Sequence, residues 1–432
     1  MTLAPSRPSS LTWPGLHVVP TGPRARVSGR VARRLFTSAV SRLPVSVRLA
    51  GDDRPLGRGG PEMTVHDPDE FFARIGSAGL IGFGEAYLTQ AWEADDLGAV
   101  LTVLAAELPQ LVPASLQRLR AAYVARPPRH QKSSVRNAQA NIGHHYDLSN
   151  DLFETFLDET MTYSSALFDD SHPGLGAGLD REVLREAQVR KIERLLDATG
   201  VGRGTRLLEI GTGWGELAIR AARRGAVVDS VTLSVEQQSL ARQRIAAAAA
   251  DGSFDAGQVS VELRDYRRIG GGRRYDAICS VEMIEAVGHD YWEDYFRILD
   301  RLLAPGGKVG LQAITMPHDR MLATRRTYTW INKYIFPGGF LPSVEAIEQI
   351  TRTRTSLRTT DRLSFGAHYA ATLHAWDAAF LAARDRVAEL GFDETFVRMW
   401  HFYLEYSRAG FASGYLDVQQ IVLERAARSG SR

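Results

Sequence analysis

The chain has 432 residues, of which 44% are hydrophobic and 24% are charged. This composition is ordinary for a folded protein of two or three domains, and it excludes wholesale disorder. The single cysteine, Cys279, excludes an internal disulfide and a thiolate metal cluster. No run approaches the roughly 18 apolar residues of a membrane-spanning helix, and the start MTLAPSRPSS lacks a secretory signal. These features predict a cytoplasmic protein without a bound metal.

The net charge of +2 conceals a basic N-terminal segment. Residues 1–64 contain ten arginines and three acidic residues, and residues 118–136 contain a second group of basic side chains. A basic surface favours an anionic partner, either nucleic acid or phospholipid headgroups. The charge distribution by itself does not choose between these two partners.

The N-terminal part is predicted to form a small α/β domain over 28–124, preceded by a flexible basic arm over 1–27. VARRLFTSAVSRL places apolar residues near helical spacing among arginines, so a basic amphipathic helix is predicted over 28–43. PVSVRLA alternates like a strand and meets a turn, which suggests a small hairpin. Three segments within 69–122, DEFFARIGSAG, EAYLTQAWEADD and LGAVLTVLAAEL, are predicted to be helical. The charged, proline-bearing stretch 125–139 is predicted to be a linker.

Strands and helices alternate in the remaining domain, which is predicted to span 140–432. The predicted strands are TRLLEIG, VVDSVTLS, QVSVELRDY, YDAICSVEM and KVGLQAIT, and Leu357 to Arg362 is predicted as a late edge strand. The predicted helices include ELAIRAARRG, VEQQSLARQRIAAAAA, YWEDYFRILDRLL and residues 372–410. This order predicts an α/β fold with a doubly wound, mostly parallel sheet.

A glycine-rich turn in LLEIGTGWGEL follows the first of these strands. Glycines at a strand-to-helix junction let a ligand approach the backbone, and a tight turn that needs positive φ is the structural alternative. Glu209 before the turn and Asp265 after the third strand add carboxylates at the same edge. With the Pro-Gly-Gly before the fifth strand, these features resemble the class I S-adenosylmethionine (SAM) methyltransferase fold. The second strand ends in VTLS rather than an acidic residue, so Thr232 and Gln237 are expected to bind the cofactor.

Five further segments resemble the cyclopropane-fatty-acyl-phospholipid synthase family, which includes the mycolic acid cyclopropane synthases. They are NIGHHYDLSNDLFETFLDETMTYSSALF, EMIEAVGHDYWEDYF, LQAITMPHDRML, WINKYIFPGGFLPS and FGAHYAATLHAW. EMIEAVG, LQAITMPHDRML and the N-terminal LIGFGEAYLTQAWEADDL look most like an actinobacterial branch. That branch makes the 10-methylene intermediate of tuberculostearic (10-methylstearic) acid. The N-terminal domain resembles the lipid-binding domain of the phospholipid-acting members.

The resemblance implies SAM-dependent methyl transfer to the double bond of an unsaturated, oleoyl-type phospholipid acyl chain. It implies a cofactor site formed by Tyr163, Ser164, Glu209, Gly211, Thr212, Gly213, Trp214, Gly215, Thr232, Leu233, Gln237, Asp265, Tyr266 and Val281. It implies bicarbonate as the base, held at the positions of Ser165, Glu285, Gln312, Ile314 and Tyr369. Ser165 and Gln312 differ from the Cys and His of the bacterial cyclopropane enzymes. Either residue can still donate a hydrogen bond to an oxyanion, so both bicarbonate and a different base geometry remain open.

The implied product is a 10-methylene-stearoyl phospholipid, with ring closure to a cyclopropane as the alternative. A methylene product implies a separate reductase, and the implied location is the inner face of the cell membrane, with peripheral attachment. Self-association into a homo-oligomer is left open. A nucleic-acid-binding methyltransferase is the alternative from another class. It is disfavoured because the sequence contains neither an Asn/Asp-Pro-Pro-Tyr motif nor a basic ribbon interleaved with aromatic residues.

Overall fold

A computed structural model describes residues 8–107, 149–169 and 179–426. The chain divides into two compact units. Unit 1 contains residues 1–126, 327–334 and 380–415, and unit 2 contains residues 127–326, 335–379 and 416–432. The predicted linker at 125–139 and the basic group at 118–136 lie outside the described residues.

The described helices are numbered in chain order. They are α1 (Gly22–Val40), α2 (Pro68–Ala78), α3 (Leu80–Leu88), α4 (Leu97–Ala106), α5 (Asn150–Phe156), α6 (Arg181–Ala198), α7 (Glu216–Arg223), α8 (Val235–Ala249), α9 (Ile284–Val287), α10 (Trp292–Leu302), α11 (His318–Thr324), α12 (Trp330–Tyr334), α13 (Val344–Arg354), α14 (Gly366–Ala382), α15 (Arg384–Glu389) and α16 (Glu394–Ala412). Short 3₁₀ turns occur at Ala256–Gln258, Tyr266–Arg268 and His289–Tyr291.

The described strands form two sheets. They are β1 (Ser46–Leu49), β2 (Glu62–Val65), β3 (Trp92–Ala94), β4 (Arg206–Ile210), β5 (Val227–Thr232), β6 (Val259–Leu263), β7 (Tyr275–Val281), β8 (Leu303–Thr315), β9 (Leu357–Ser364) and β10 (Asp417–Arg425). The sheet of unit 1 has the order β1-β2-β3, and the sheet of unit 2 has the order β6-β5-β4-β7-β8-β10-β9.

The large sheet confirms the predicted doubly wound α/β fold. Its first five strands in spatial order are all parallel, and β10 and β9 then pair antiparallel beyond β8. All five predicted core strands are present, and the predicted late strand lies at the sheet edge as β9. The sequence prediction missed β10, which lies between β8 and β9, because it assigned no element after the helical segment 372–410.

Adjacent residues of the parallel strands pack in opposite directions. Leu207 of β4 belongs to the core cluster formed with α6 and α7, whereas Leu208 belongs to the cluster formed with α10. A parallel strand that is covered on both faces reads as a continuous apolar run rather than an alternating one. The LLEI sequence of β4 therefore suits a central strand that is buried on both sides.

The amphipathic helix predicted at 28–43 is present, but it begins earlier, at Gly22. The arm predicted at 1–27 is therefore partly wrong. Leu16 is buried, and the indole of Trp13 donates to Asp393 within unit 1 over 2.8 Å. Overall composition suggested a loose arm, but two isolated apolar side chains are enough to anchor the segment to a core.

Two local predictions in unit 1 are wrong. β1 pairs in parallel with β2, and only the single bridge between Val47 and Leu56 is antiparallel, so the predicted hairpin does not form. The predicted helix EAYLTQAWEADD ends with α3, and Trp92–Ala94 pairs with β2 as a strand. Here the tertiary pairing outweighs the helical propensity of the local sequence.

Unit 1 also includes segments that the sequence prediction assigned to the domain at 140–432. Residues 327–334 and 380–415 pack with the N-terminal elements. Within this unit the guanidinium of Arg398 donates to the Tyr87 carbonyl and lies 4.3 Å from the Tyr87 ring centroid. Helical periodicity shows that a segment has an apolar face, but it does not show which core that face joins.

None of the described helices is long and apolar enough to cross a bilayer.

Helices α1 and α2 approach each other closely at Gly29 of α1 and Gly76 of α2. A Cβ on Gly76 would lie 2.5 Å from the backbone carbon of Ser28. We expect Gly76→Ala to lower the free energy of unfolding by about 1–3 kcal/mol, because the backbone cannot move aside as a side chain can. Chemical denaturation measures the change. Gly202→Ala is the control, since a Cβ there meets nothing within 4 Å; equal stability of both variants would contradict the assigned contact.

Candidate functional site

The glycine-rich turn joins β4 to α7 through a backbone that only glycine adopts easily. Gly211 and Gly215 have φ values of +93° and +92°, and Gly215 is the residue before the helix. A Cβ on Gly213 would meet nothing within 4 Å, although its φ of +52° also favours glycine. The open space beside Gly213 lets a ligand reach the backbone, as the ligand-binding interpretation requires.

A buried polar network lies beneath this turn. The hydroxyl of Ser230 donates to Glu209 over 2.5 Å and lies 2.7 Å from the hydroxyl of Thr212. Burial raises the pKa of Glu209 to about 8. The structure thus brings together Glu209 and Thr212, two of the predicted cofactor residues, at the carboxyl end of β4.

The end of β5 carries the polar pair that replaces the usual acidic residue. Thr232 donates to the side-chain oxygen of Gln237 over 2.9 Å, and both side chains are buried. Ser234 accepts from the Gln237 backbone N–H and so caps α8, while Leu233 is partly buried between them. The capped start of α8 holds the Gln237 side chain next to Thr232 at the end of β5.

Asp265 follows β6 and is already paired in the structure. Its carboxylate accepts from the guanidinium and the backbone N–H of Arg267, with a shortest contact of 2.6 Å. Tyr266 is buried edge-to-face against Tyr295, with ring centroids 5.5 Å apart. Asp265 therefore has a fixed orientation, and the sequence prediction did not include the arginine that holds it.

Aromatic rings line the segment around Tyr163. Tyr163 stacks on Trp376 with centroids 5.1 Å apart, and Phe153 contacts both Tyr163 and Trp214. The Trp214 indole donates to Asn150 over 2.8 Å. Two predicted cofactor residues, Tyr163 and Trp214, thus belong to one aromatic cluster.

A buried lysine lies beside this cluster. Lys191 of α6 donates to the Ser164 hydroxyl over 2.6 Å and is fully buried. Desolvation lowers its pKa to about 8, although the nearby Glu282 and Asp158 favour the charged form. The Ser164 side chain, which was predicted to contact the cofactor, contacts this ammonium group in the structure.

The five residues predicted for the base site lie around two carboxylates. The Ser165 N–H and the Gln312 side-chain amide donate to one oxygen of Glu282 over 3.0 and 2.8 Å. The Tyr369 hydroxyl donates to the other oxygen over 2.7 Å. Ser165 acts through its backbone, because its hydroxyl donates to the carbonyl of Ala166.

Glu285 is the second carboxylate. The Ile314 N–H donates to one of its oxygens over 2.6 Å, and the other oxygen has no partner among the described residues. Burial first, and the charge of Glu282 second, raise the pKa of Glu285 to about 8. Two adjacent carboxylates do not both ionise easily, and desolvation raises the pKa of Glu282 as well, although the charge of Lys191 opposes that rise.

Sequence reasoning missed Glu282 and Lys191. Glu282 follows Val281, the last residue of β7 and the register partner of Gln312. Its position at the carboxyl end of a central strand was a usable signal, as was its spacing of three residues from Glu285. Lys191 is one of only four lysines in the chain, but nothing in the helix pattern indicates that it is buried.

The chain is similar in sequence to cyclopropane synthases and to a fatty-acid methyltransferase. A family model described as mycolic acid cyclopropane synthetase matches residues 133–421. Tuberculostearic acid methyltransferase UfaA1 from Mycobacterium tuberculosis is 52% identical over 416 residues, which are 96% of this chain and 95% of that protein. Cyclopropane-fatty-acyl-phospholipid synthase from Escherichia coli is 33% identical, with 86% of this chain and 90% of that protein aligned.

The solved structures that resemble the chain include mycolic acid cyclopropane synthase CmaA1 complexed with SAH and CTAB. The TM-score is 0.58 at 31% sequence identity, and the match covers 66% of this chain and 98% of that one. The match supports the doubly wound fold and the resemblance identified from the sequence motifs.

The raised pKa of Glu209 predicts a pH dependence of stability. Its folded pKa of about 8 exceeds the ordinary 4.5 because burial disfavours the charge. The folded state therefore has its full stability below pH 4.5, where Glu209 is protonated in both states, and loses stability as the pH rises from 4.5 through 8. Glu209→Gln stays neutral, and we expect it to gain up to about 4 kcal/mol relative to the original protein between pH 5 and 8.5. Chemical denaturation across this range measures the difference. A difference that does not change with pH would contradict the assignment.

Proposed function

This chain belongs to the mycolic acid cyclopropane synthetase family and is a SAM-dependent methyltransferase, and we propose that it transfers one carbon to the double bond of an unsaturated phospholipid acyl chain. The proposed product is a 10-methylene-stearoyl phospholipid, the precursor of tuberculostearic acid. The observation that carries this proposal is the similarity to a tuberculostearic acid methyltransferase over nearly the whole length of both chains. A cyclopropane ring is the second candidate product, favoured by the similarity to the Escherichia coli synthase.

The residues at the carboxyl ends of β4, β5 and β6 fit the cofactor. Open space beside Gly213 admits a ligand to the backbone, and Glu209 supplies a buried carboxylate at the same edge. We propose that Glu209, the turn from Gly211 to Gly215, the pair Thr232 and Gln237, and Asp265 hold the cofactor. When bound, SAM supplies an activated methyl group.

The cluster around Glu282 and Glu285 suits the chemistry that follows methyl addition. An alkene that gains a methyl group becomes a carbocation, which an apolar acyl site cannot solvate with water. The faces of Tyr163 and Trp376 can stabilise that cation, and so can the negative charge of the Glu282 carboxylate when it is ionised. A base must then remove a proton. If the proton leaves the new methyl group directly the ring closes, whereas loss after a hydride shift produces the methylene group.

Unit 1 is proposed to bind the lipid surface. The outer side of α1 carries exposed arginines, including Arg26, Arg30 and Arg34. The same helix exposes 62% of Val27 and 52% of Val31. A helix that presents both apolar and cationic side chains suits an anionic membrane interface. We therefore propose peripheral attachment at the inner face of the cell membrane. Because a methylene group must be reduced to become a methyl branch, we also propose a separate reductase that acts on the methylene product.

A direct assay tests the proposed reaction. Purified protein, SAM and oleoyl phospholipid vesicles should yield a fatty acid heavier by one CH₂ unit. Gas chromatography with mass spectrometry, before and after mild hydrogenation, separates the two products, because a methylene group takes up hydrogen and a cyclopropane ring resists it. Absence of any heavier acyl chain would overturn the proposed function. A heavier product that resists hydrogenation would show that the enzyme makes the cyclopropane ring rather than the methylene group.

The basic helix α1 can be tested separately from catalysis. We expect the triple variant Arg26→Gln, Arg30→Gln and Arg34→Gln to bind anionic vesicles about 100-fold more weakly. This follows from about 1 kcal/mol of attraction per arginine near such a surface. Co-sedimentation with anionic and neutral vesicles measures the change.

A matched variant controls for the loss of charge alone. Arg203→Gln, Arg206→Gln and Arg273→Gln remove the same number of exposed charges from unit 2. This control should bind anionic vesicles like the original protein. Equal weakening by both triple variants would show that net charge, rather than α1, attracts the protein to vesicles.

A further inference from the structure

Glu282 has a backbone conformation that side chains rarely adopt. Its φ is +50°, and its N–H donates to the Gln312 carbonyl over 2.7 Å, directly after β7 ends. A left-handed backbone at a residue other than glycine is strained and persists only where its surroundings enforce it. Here the carboxylate with its three donors holds the residue in place. Such strained residues cluster at functional sites.

The donors to Glu282 are a complete anion-binding set. A backbone N–H from Ser165, an amide from Gln312 and a hydroxyl from Tyr369 divide between its two oxygens at 2.7–3.0 Å. The ammonium of Lys191 adds positive potential from the buried side. Glu282 as a whole residue is partly exposed, whereas its carboxylate is withdrawn from water.

A free bicarbonate ion does not fit this arrangement. Ser165, Gln312 and Tyr369, three of the positions implied to bind it, already donate to Glu282, and the Ile314 N–H donates to Glu285. A further anion would add negative charge beside two carboxylates in a desolvated place. That addition is costly without new donors or cations.

We propose that the Glu282 carboxylate is itself the proton acceptor of the reaction, in place of a bicarbonate ion. The proposal rests on the proposed function, because it requires a cationic acyl intermediate. After the hydride shift that the methylene product requires, a C–H bond of the transferred carbon breaks, and its electron pair becomes the second bond of the new C=C group and neutralises the cation. Without that shift, the same electron pair closes the cyclopropane ring. The proton bonds to a Glu282 oxygen, and the resulting carboxylic acid returns it to water after the product leaves. No oxidant or reductant takes part.

Two further observations agree with this role. Withdrawal from water raises the pKa of Glu282, which makes it a stronger base than an exposed glutamate. Lys191 and the three donors oppose that rise and favour the ionised form that a base needs. Glu285, whose pKa of about 8 keeps it mostly protonated at neutral pH, is less suited to accept a proton.

The first experiment uses the unaltered protein and the variant Glu282→Gln. Product formation from oleoyl phospholipid vesicles and SAM is measured in CO₂-free buffer with and without added bicarbonate. We expect the unaltered protein to show the same rate in both buffers. Glu282→Gln keeps the side-chain shape and removes the base, so turnover should fall about 100-fold or more while SAH affinity stays within about twofold. Glu424→Gln, at a surface carboxylate of β10, should retain full turnover.

The second experiment does not depend on catalysis. Glu282→Gly suits the positive φ and leaves the donors Ser165, Gln312 and Tyr369 without their anion. Bicarbonate should therefore raise the melting temperature of this variant in the absence of SAM and lipid, and should leave that of the unaltered protein unchanged. Bicarbonate should also increase the turnover of the variant about 10-fold or more.

Three results would overturn the proposal. The first is a rate of the unaltered protein that falls in CO₂-free buffer and returns with bicarbonate. The second is a Glu282→Gln variant with full turnover. The third is a stability loss in Glu282→Gln together with no effect of bicarbonate on Glu282→Gly, which would assign Glu282 a structural role. Absence of product from the unaltered protein counts against the proposed function instead, and the melting temperatures then still decide whether Glu282 occupies an anion site.

Discussion

The constraint on which the rest of unit 2 depends is the burial of a parallel sheet on both faces. Helices cover each face, so the polar groups that a ligand can reach gather at the strand ends. The carboxyl ends of the parallel strands carry Glu209, Thr232, Asp265, Glu282 and Ile314. A ligand site in such a fold lies at this edge because loops of independent sequence meet there. The candidate cofactor residues and the carboxylate cluster therefore occupy one edge of one sheet.

This edge contains charges that a purely structural core would avoid. Glu209 and Lys191 are buried, and both have pKa values moved towards neutrality by desolvation. The two carboxylates after β7 add mutual repulsion, and desolvation raises the pKa of each. Groups with such shifted pKa values cluster where acid–base chemistry occurs. Here a positive φ at Glu282 and a complete set of donors accompany the shifts.

The two substitutions noted in the sequence acquire a physical meaning in this cluster. Gln312 donates to Glu282 and accepts from Gln420, so its amide links the carboxylate to a strand that the sequence analysis missed. Ser165 donates through its backbone, which makes the identity of its side chain less important for holding an anion. A carboxylate carried by the chain changes what these positions must do, since they orient an attached anion rather than capture a free one.

The sequence by itself determined the doubly wound fold, its five core strands, the glycine turn and the family, because strands and motifs are local patterns. It also named the positions that surround Glu282, since the motif from YSSA to FGAHY could be matched segment by segment. Only the tertiary structure decided that Glu282 and Lys191 belong with them. It alone showed that β10 separates β8 from β9 and that residues 380–415 join unit 1. These facts depend on which distant surfaces meet, and a one-dimensional pattern of apolar and polar residues does not specify that choice.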